Sequence, residues 1–188
     1  MIKTAVTVRA SRKADRNAPE KLCDSPEDSY LDSKALIEKW HNKGRLRYAV
    51  TPRFAITSSK LQLEQASRLL SEYPDANGKK GVLLQTHLNE NDEEINWVKE
   101  LFPESENYFG VYQDFGITGA NSVFGHCIHN TEDEYQKMAE TGSKISLCPR
   151  SNLFLGSGLF ELEKLESYGI DVSLASDVGG GDSFSMFQ

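Results

Sequence analysis

Five short apolar runs alternate with longer helix-like segments along this chain, and this alternation is the feature that most constrains its fold. Each run has the length of an ordinary β-strand, and helix start and stop signals lie between the runs. The predicted strands span residues 46–50, 81–85, 122–125, 144–148 and 171–175. Alternating strands and helices predict an α/β fold with a parallel sheet and helices packed outside it.

Capping residues mark the beginnings of the predicted helices. Ser25 is followed by Pro26 and then by acidic residues, which is typical of a helix start, and Thr131 with Glu134 has the pattern of a capping box. A glycine or a proline follows the end of each segment. We expect helices near residues 25–44, 59–73, 92–102, 131–142 and 160–168.

The length of the chain leaves two architectures open. A doubly wound sheet and part of a (β/α)8 barrel both fit five predicted strands, but a full barrel takes about 250 residues. The chain has 188 residues, which is fewer than a full barrel needs. In both architectures ligands bind at the carboxyl ends of the strands, so the residues that follow the strands are the ones to search for function.

Composition and charge exclude several classes of protein. The net charge of −7 argues against a phosphate backbone as partner, so we expect no nucleic-acid binding. No apolar run approaches the roughly 18 residues of a membrane helix, which argues against a membrane partner. The three cysteines form no CxxC pair, so they indicate neither a disulfide framework nor a cysteine zinc site. These features are typical of a cytoplasmic enzyme with a small-molecule substrate.

One chemically capable residue follows each of four predicted strands. His87, His126 and Asp177 lie within two residues of a strand end, and Arg53 lies three residues beyond another. Imidazole nitrogens and a carboxylate oxygen are ordinary zinc ligands, and an open position would hold a water whose pKa the metal lowers to about 7. Glu90, three residues beyond His87, could move protons without being a ligand.

Each of these residues also has an ordinary structural explanation. A histidine after a strand is commonly a hydrogen-bonded structural residue, and Asp177 before three glycines could simply form a turn. Glu90 lies in a run of polar and charged residues, and Arg53 could lie on the surface. The coincidence of four such residues at one edge of a sheet favours a metal-dependent site over four separate explanations.

Five motifs, taken in order, resemble guanine deaminases of the amidohydrolase superfamily. They are TPRFA at 51–55, QTHLNEN at 85–91, FGHC at 124–127, CPRSNLFLGSG at 148–158 and SDVGGG at 176–181. DRNAP at 15–19 also resembles a bacterial member. The similarity covers residues 14–188 as one partial metal-dependent hydrolase barrel, preceded by an atypical segment at 1–13. The fold it implies is an incomplete (β/α)8 TIM-like barrel with roughly strands 4 to 8 and their helices.

The resemblance implies a metal site and two catalytic groups. His87, His126 and Asp177 would hold one zinc ion, or an iron ion, after barrel strands 5, 6 and 8. Glu90 would protonate the purine ring nitrogen next to the attacked carbon. Asp177 would also take the proton from the attacking water.

The resemblance further implies the substrate and the reaction. Arg53 would hydrogen-bond guanine, and Phe54 would pack against the plane of the purine. The reaction would be hydrolysis of guanine to xanthine and ammonia, a step of purine catabolism. The family resemblance also allows a homodimer.

One departure from the family pattern concerns the metal ligands. Members of the superfamily carry a His-x-His pair after the first strand, which supplies two further ligands, and the 188 residues contain no such pair. We therefore expect a truncated form with weak metal affinity and little or no activity. Two alternatives stay open, namely a catalytically inactive remnant and a related aminohydrolase that acts on a triazine, a pterin or an adenosine derivative.

Overall fold

The computed structural model describes residues 6–9, 14–183 and 185, and it shows a mixed α/β fold with parallel strands. Within these residues there are six strands: β1 (Val6–Arg9), β2 (Leu46–Val50), β3 (Leu83–Leu88), β4 (Ser122–His126), β5 (Lys144–Leu147) and β6 (Val172–Leu174). Seven α-helices accompany them: α1 (Pro26–Trp40), α2 (Lys60–Glu72), α3 (Asp92–Leu101), α4 (Tyr108–Asp114), α5 (Glu132–Thr141), α6 (Pro149–Leu155) and α7 (Leu162–Ser167). Short 3₁₀ turns lie at Glu20–Leu22 and Ala55–Thr57.

The chain divides into two compact units. The first unit comprises Met1–Thr86 with Phe115–Ile117, and the second comprises His87–Asp114 with Thr118–Gln188. Strand β3 crosses the boundary, because its last two residues belong to the second unit.

The first unit pairs β1, β2 and the start of β3 in parallel. Tyr48 of β2 lies beside Val8 of β1, and Ala49 lies beside Leu83 of β3. Helix α2 begins where the hydroxyl of Ser59 accepts a hydrogen bond from the backbone N–H of Gln62, at 3.1 Å. The core of this unit is apolar and includes Ile37, Tyr48, Ile56, Leu63, Leu69 and Leu84.

The second unit contains the end of β3 followed by β4, β5 and β6 in chain order, and β5 pairs in parallel with both β4 and β6. Phe124 of β4 lies beside Ile145 of β5, and its ring meets the edge of Phe109 with centroids 5.3 Å apart. Helix α5 begins with a complete capping box and ends at Gly142, whose φ of 71° is the left-handed conformation that glycine adopts without a Cβ clash. These local features fix the two ends of α5, between β4 and β5.

All five predicted strands are present, but the sequence analysis missed three elements. Strand β1 was not expected, although VTVR has the β-branched residues that strands favour. Helices α4 and α6 were not expected either, since both have only 7 residues. Helix α6 lacks a side-chain cap, whereas α4 is capped by the side-chain oxygen of Asn107, which accepts from the N–H of Gly110 at 2.7 Å. The atypical segment assigned to 1–13 lies outside the described residues, apart from the backbone of β1.

Several predicted boundaries were also wrong. Helix α1 ends at Trp40 rather than near Gly44, because His41 leaves helical geometry with ψ at 136°. Strand β3 covers Leu83–Leu88 rather than residues 81–85, so His87 lies inside the strand and not beyond its end. The N–H of Gly81 donates to the carboxylate of Asp75 at 3.0 Å, which holds that residue in the preceding turn.

None of the helices among the described residues combines the length and the apolar composition that crossing a membrane requires.

Candidate metal centre

Three strand ends of the second unit bring His87, His126 and Asp177 together. His87 lies near the end of β3, His126 is the last residue of β4, and Asp177 follows β6 by three residues. One ligand atom from each residue can be chosen so that the three atoms lie within 4.8 Å of one another. His126 is only 1% exposed, so most of the site is shielded from water.

The backbone at this site departs from ordinary geometry. His126, Cys127 and Asp177 have positive φ angles of 69°, 54° and 45°. Residues with a Cβ rarely adopt this region, and each costs of order 1 kcal/mol or more. The N–H of Cys127 donates to the carbonyl of Leu88 at 2.9 Å, which stabilises the turn that directs His126. Strained residues of this kind cluster at functional sites.

Glu90 lies beside His126. One of its carboxylate oxygens is 3.5 Å from Nε2 of His126, and the other accepts a hydrogen bond from the hydroxyl of Ser157 at 3.3 Å. Glu90 also lines an open cavity of about 450 Å³ together with Leu155 and Ser157. That volume lies in the range of small-molecule sites. The carboxylate therefore lies between the cavity and the ring of His126.

The other nitrogen of His126 has a separate partner. Its Nδ1 lies 2.8 Å from the side-chain oxygen of Asn152, which is 1% exposed. Sequence reasoning assigned no role to Asn152 or Ser157, although both lie in the CPRSNLFLGSG motif. Their position in one motif was the only sequence feature that linked them to the site. The spacing of five residues between them does not indicate that both side chains face it.

Two cysteines near the site are not nucleophiles. Burial, with the Asp177 carboxylate as a further cause, raises the pKa of the Cys148 thiol to about 12. Burial also raises the pKa of Cys127 well above its ordinary value. Both thiols therefore stay protonated at neutral pH, as expected of small packing residues.

The donor set fits a divalent metal ion. Two imidazoles and one carboxylate are ordinary zinc ligands, and the same set also binds iron. The rings of His87 and His126 are stacked with centroids 5.3 Å apart, so their nitrogens can face a common point. His126 has Nδ1 engaged by Asn152, which leaves Nε2 as the nitrogen available to a metal.

Arg53 and Phe54 belong to the first unit. The guanidinium of Arg53 lies 5.1 Å from the centroid of the Phe54 ring, as in a cation–π pair, and both residues are half-buried. The carbonyl of Arg53 accepts a hydrogen bond from the hydroxyl of Thr86 at 3.2 Å. The structure thus places an arginine and an aromatic ring side by side on one short segment.

The DRNAP motif secures the chain immediately after that pair. Arg16 donates to the carbonyl of Ala55 at 3.1 Å, and Asn17 donates to the carbonyl of Ile56 at 2.9 Å. The carboxylate of Asp15 accepts hydrogen bonds from the N–H of Ser59, at 2.7 Å, and from its hydroxyl. The hydrogen bonds of this motif therefore hold the segment at residues 55–59 in place.

Comparison with known proteins gives a consistent family. The amidohydrolase family model matches residues 3–188. Guanine deaminase of Escherichia coli is 51% identical over 174 residues, which are 93% of this chain and 38% of the relative. The probable guanine deaminase of Deinococcus radiodurans is 41% identical over 175 residues, again 93% of this chain and 38% of the relative. The chain thus spans about 38% of the length of these relatives.

Solved structures are similar over nearly the whole chain. E. coli guanine deaminase superposes with a TM-score of 0.90 at 49% identity, covering 96% of this chain and 41% of that one. Guanine deaminase from C. acetobutylicum with bound guanine in its active site gives 0.83 at 32% identity, covering 90% and 39%. The zinc complex of an Arthrobacter aurescens atrazine chlorohydrolase gives 0.78 at 17% identity, covering 92% and 39%, a similarity of fold alone.

Proposed function

This chain belongs to the amidohydrolase family, and we propose that it carries part of an active site that hydrolyses guanine to xanthine and ammonia. The observation that carries the proposal is the convergence of His87, His126 and Asp177 to within 4.8 Å, with Glu90 beside them. Guanine deaminases are the relatives with the highest sequence identity among the comparisons above.

His87, His126 and Asp177 are the residues that would hold the metal, which we propose to be one zinc ion, with iron as the alternative. A bound divalent ion would make a water molecule nucleophilic at neutral pH. The shielding of His126 from solvent favours this role, because charge interactions are stronger where water is excluded.

Glu90 and Asp177 are the proposed proton carriers. Over the whole reaction the attacking water loses both protons, the first as it adds to the carbon and the second when the new hydroxyl becomes a carbonyl. One proton ends on the ring nitrogen beside the attacked carbon, and the other ends on the amine that leaves as ammonia. Glu90 lines the 450 Å³ cavity, so its carboxylate can protonate a heterocycle bound there. Asp177 would accept the proton that the attacking water loses as it adds to the carbon.

Arg53 and Phe54 are the proposed guanine-binding residues. A guanidinium donates hydrogen bonds in a fixed plane and suits the carbonyl oxygen of a purine, while an aromatic ring packs against the flat base. Their 5.1 Å separation and the hydrogen bond from Thr86 to the Arg53 carbonyl support a preformed pair.

Guanine is favoured over other heterocycles by the level of similarity. The relatives at 41% and 51% identity are guanine deaminases, and the C. acetobutylicum structure holds guanine. The atrazine chlorohydrolase is only 17% identical, so its substrate is no guide to the substrate of this chain.

We further propose that the fold is an incomplete (β/α)8 barrel and that the protein is cytoplasmic. Parallel strands that alternate with helices support the first point. The thiols of Cys23, Cys127 and Cys148 are all free, which suits a reducing compartment.

Metal and activity measurements on the 188-residue chain test the proposal. We expect zinc titration to reach one ion per chain, with weak affinity because the sequence has no His-x-His pair. With saturating zinc, xanthine formation from guanine should be far slower than with E. coli guanine deaminase assayed in parallel. Adenosine and a triazine should give no product.

Three outcomes would contradict parts of this proposal. A chain that binds no zinc at any concentration would favour a non-catalytic remnant. Turnover of guanine close to that of the E. coli enzyme would show that the three ligands suffice. If a triazine but not guanine gave product, the chain would be a related aminohydrolase with another substrate.

A further inference from the structure

The side chain of Asn152 is buried against the candidate ligand His126. Its oxygen lies 2.8 Å from Nδ1 of that histidine, and both residues are 1% exposed. An imidazole can bind a metal only through a nitrogen that carries no proton, and in the neutral ring the proton sits on the other nitrogen. The partner of Nδ1 therefore bears directly on which nitrogen of His126 can become a ligand.

Nε2 also faces a hydrogen-bond acceptor, but at a longer distance than the 2.8 Å contact of Nδ1. Nε2 of His126 lies 3.5 Å from the carboxylate of Glu90, on the side of the ring where the other candidate catalytic group lies. An amide oxygen only accepts hydrogen bonds, so its contact with Nδ1 favours a proton on Nδ1. The lone pair of Nε2 is then free to coordinate a metal.

Helix α6 holds Asn152 firmly in this position. Its backbone N–H donates to the carbonyl of Cys148 at 3.0 Å, and its carbonyl accepts from the N–H of Ser157 at 2.8 Å. The second bond is possible because Gly156 turns the chain with φ at 74°. The amide is thus fixed at both sides by backbone contacts rather than by the histidine alone.

The amide nitrogen of Asn152 shows that this residue is not there for packing. That nitrogen is buried without a hydrogen-bond partner among the described residues. A buried polar group without a partner is unfavourable, and an apolar side chain such as leucine would avoid it. The contact between the side-chain oxygen and Nδ1 of His126 therefore explains why an asparagine occupies this position.

We propose that Asn152 is a positioning residue that fixes His126 as the Nδ1–H tautomer and presents Nε2 to the metal. This inference rests on the proposed metal-dependent function. Groups that orient a ligating histidine usually change metal affinity by about 10- to 100-fold when removed.

Two substitutions separate the hydrogen bond from the packing. Asn152→Leu removes the acceptor and keeps a similar volume, whereas Asn152→Asp keeps an oxygen in the same place. Asn107→Leu is the matched control, because its side-chain oxygen accepts from the N–H of Gly110 at 2.7 Å, at the start of α4 in the same unit. Thermal unfolding of each variant shows whether it folds.

Zinc affinity of the full 188-residue chain is the first measurement. Competition with a chromophoric chelator should show affinity about 10- to 100-fold weaker for Asn152→Leu, and wild-type-like affinity for Asn152→Asp and Asn107→Leu. Wild-type affinity in Asn152→Leu would overturn the inference. Equal losses in Asn152→Leu and Asn107→Leu would also overturn it, since they would reflect general destabilisation.

The tautomer of His126 in the metal-free chain is the second measurement. Long-range ¹H–¹⁵N correlation spectra at a pH where the ring is neutral should show the Nδ1–H form in the wild type. The Nε2–H form, which a free histidine side chain favours, should increase in Asn152→Leu. A wild type already in the Nε2–H form would overturn the inference. Because this readout needs no metal, a chain that binds no zinc would refute the proposed function while the spectra still decide the role of Asn152.

Discussion

The imidazole rings of His87 and His126 are stacked, with centroids 5.3 Å apart and planes inclined by 26°. Together with Asp177 they form a set of three candidate ligands, and a metal ion held there would need all three. Losing any one of them leaves two ligands on the described chain.

We therefore expect His87→Ala and His126→Ala each to abolish zinc binding. His41→Ala is the control, because His41 accepts from the N–H of Tyr48 at 3.0 Å and bonds the carbonyl of Lys80 at 2.7 Å, both in the first unit. That variant should unfold at lower temperature but bind zinc as the wild type does. Isothermal titration with zinc makes the comparison, and retained binding in either alanine variant at the candidate site would count against the metal centre.

Asp177→Asn tests the carboxylate ligand without changing its size. We expect at least a tenfold loss of zinc affinity, since an amide oxygen carries no charge for a divalent ion. Asp182→Asn is the matched control, because Asp182 pairs with Arg150 at 2.6 Å and is not among the candidate ligands. Similar affinities for the two variants would show that Asp177 is a turn residue only.

Arg53→Ala tests the proposed guanine contact in the first unit. Chemical-shift titration with guanine should show weaker binding by this variant, because the guanidinium is the proposed donor to the purine carbonyl. Arg68→Ala offers a control on a helix of the same unit, where Arg68 pairs with Glu72 at 2.8 Å. If both substitutions changed guanine affinity equally, Arg53 would not be a guanine-binding residue.

The starts of the helices could be predicted because the information is local. Ser25, Ser59 and Thr131 each accept a hydrogen bond from an N–H three residues later, so the pattern is visible in four consecutive letters. Helix α4 has the same kind of cap, because the side-chain oxygen of Asn107 accepts from the N–H of Gly110 at 2.7 Å. Its seven residues make only about two turns, which is too short a segment to show a helical repeat in the sequence.

The candidate ligands could be located because strand ends are also visible in the sequence. His87, His126 and Asp177 follow apolar runs, and parallel strands bring their carboxyl ends to one edge. The roles of Asn152 and Ser157 could not be derived in this way. Which side chains of that segment face the site depends on the left-handed turn at Gly156, and spacing alone does not reveal it.

Glu134→Ala tests the capping box of α5. One carboxylate oxygen of Glu134 accepts from the N–H of Thr131 at 2.9 Å, and the other accepts from the N–H of Phe109 at 3.2 Å. Because Glu134 is 2% exposed, its removal leaves buried donors unpaired and should lower the free energy of unfolding by about 2–3 kcal/mol. Urea unfolding measures this. The exposed Glu140→Ala on the same helix should change little, and equal losses would contradict the capping role.

Glu72→Gln tests a pH dependence of stability in the first unit. Hydrogen bonds from Lys34 at 2.9 Å and then from Tyr30 at 2.8 Å lower the pKa of Glu72 to about 2. Since the folded-state pKa lies below the unfolded value of about 4.3, the contribution of Glu72 is complete above that value and is lost as pH falls toward 2. The wild type should therefore have a higher melting temperature than Glu72→Gln at pH 7. The difference between the two melting temperatures should become smaller between pH 4.5 and pH 3, a range that begins near the unfolded-state pKa and stays above the folded-state pKa.

The exposed Glu64→Gln is the control, and its difference in melting temperature from the wild type should show no such narrowing. A gap for Glu72→Gln that stays constant with pH would mean that packing, and not the ionised carboxylate, stabilises this contact.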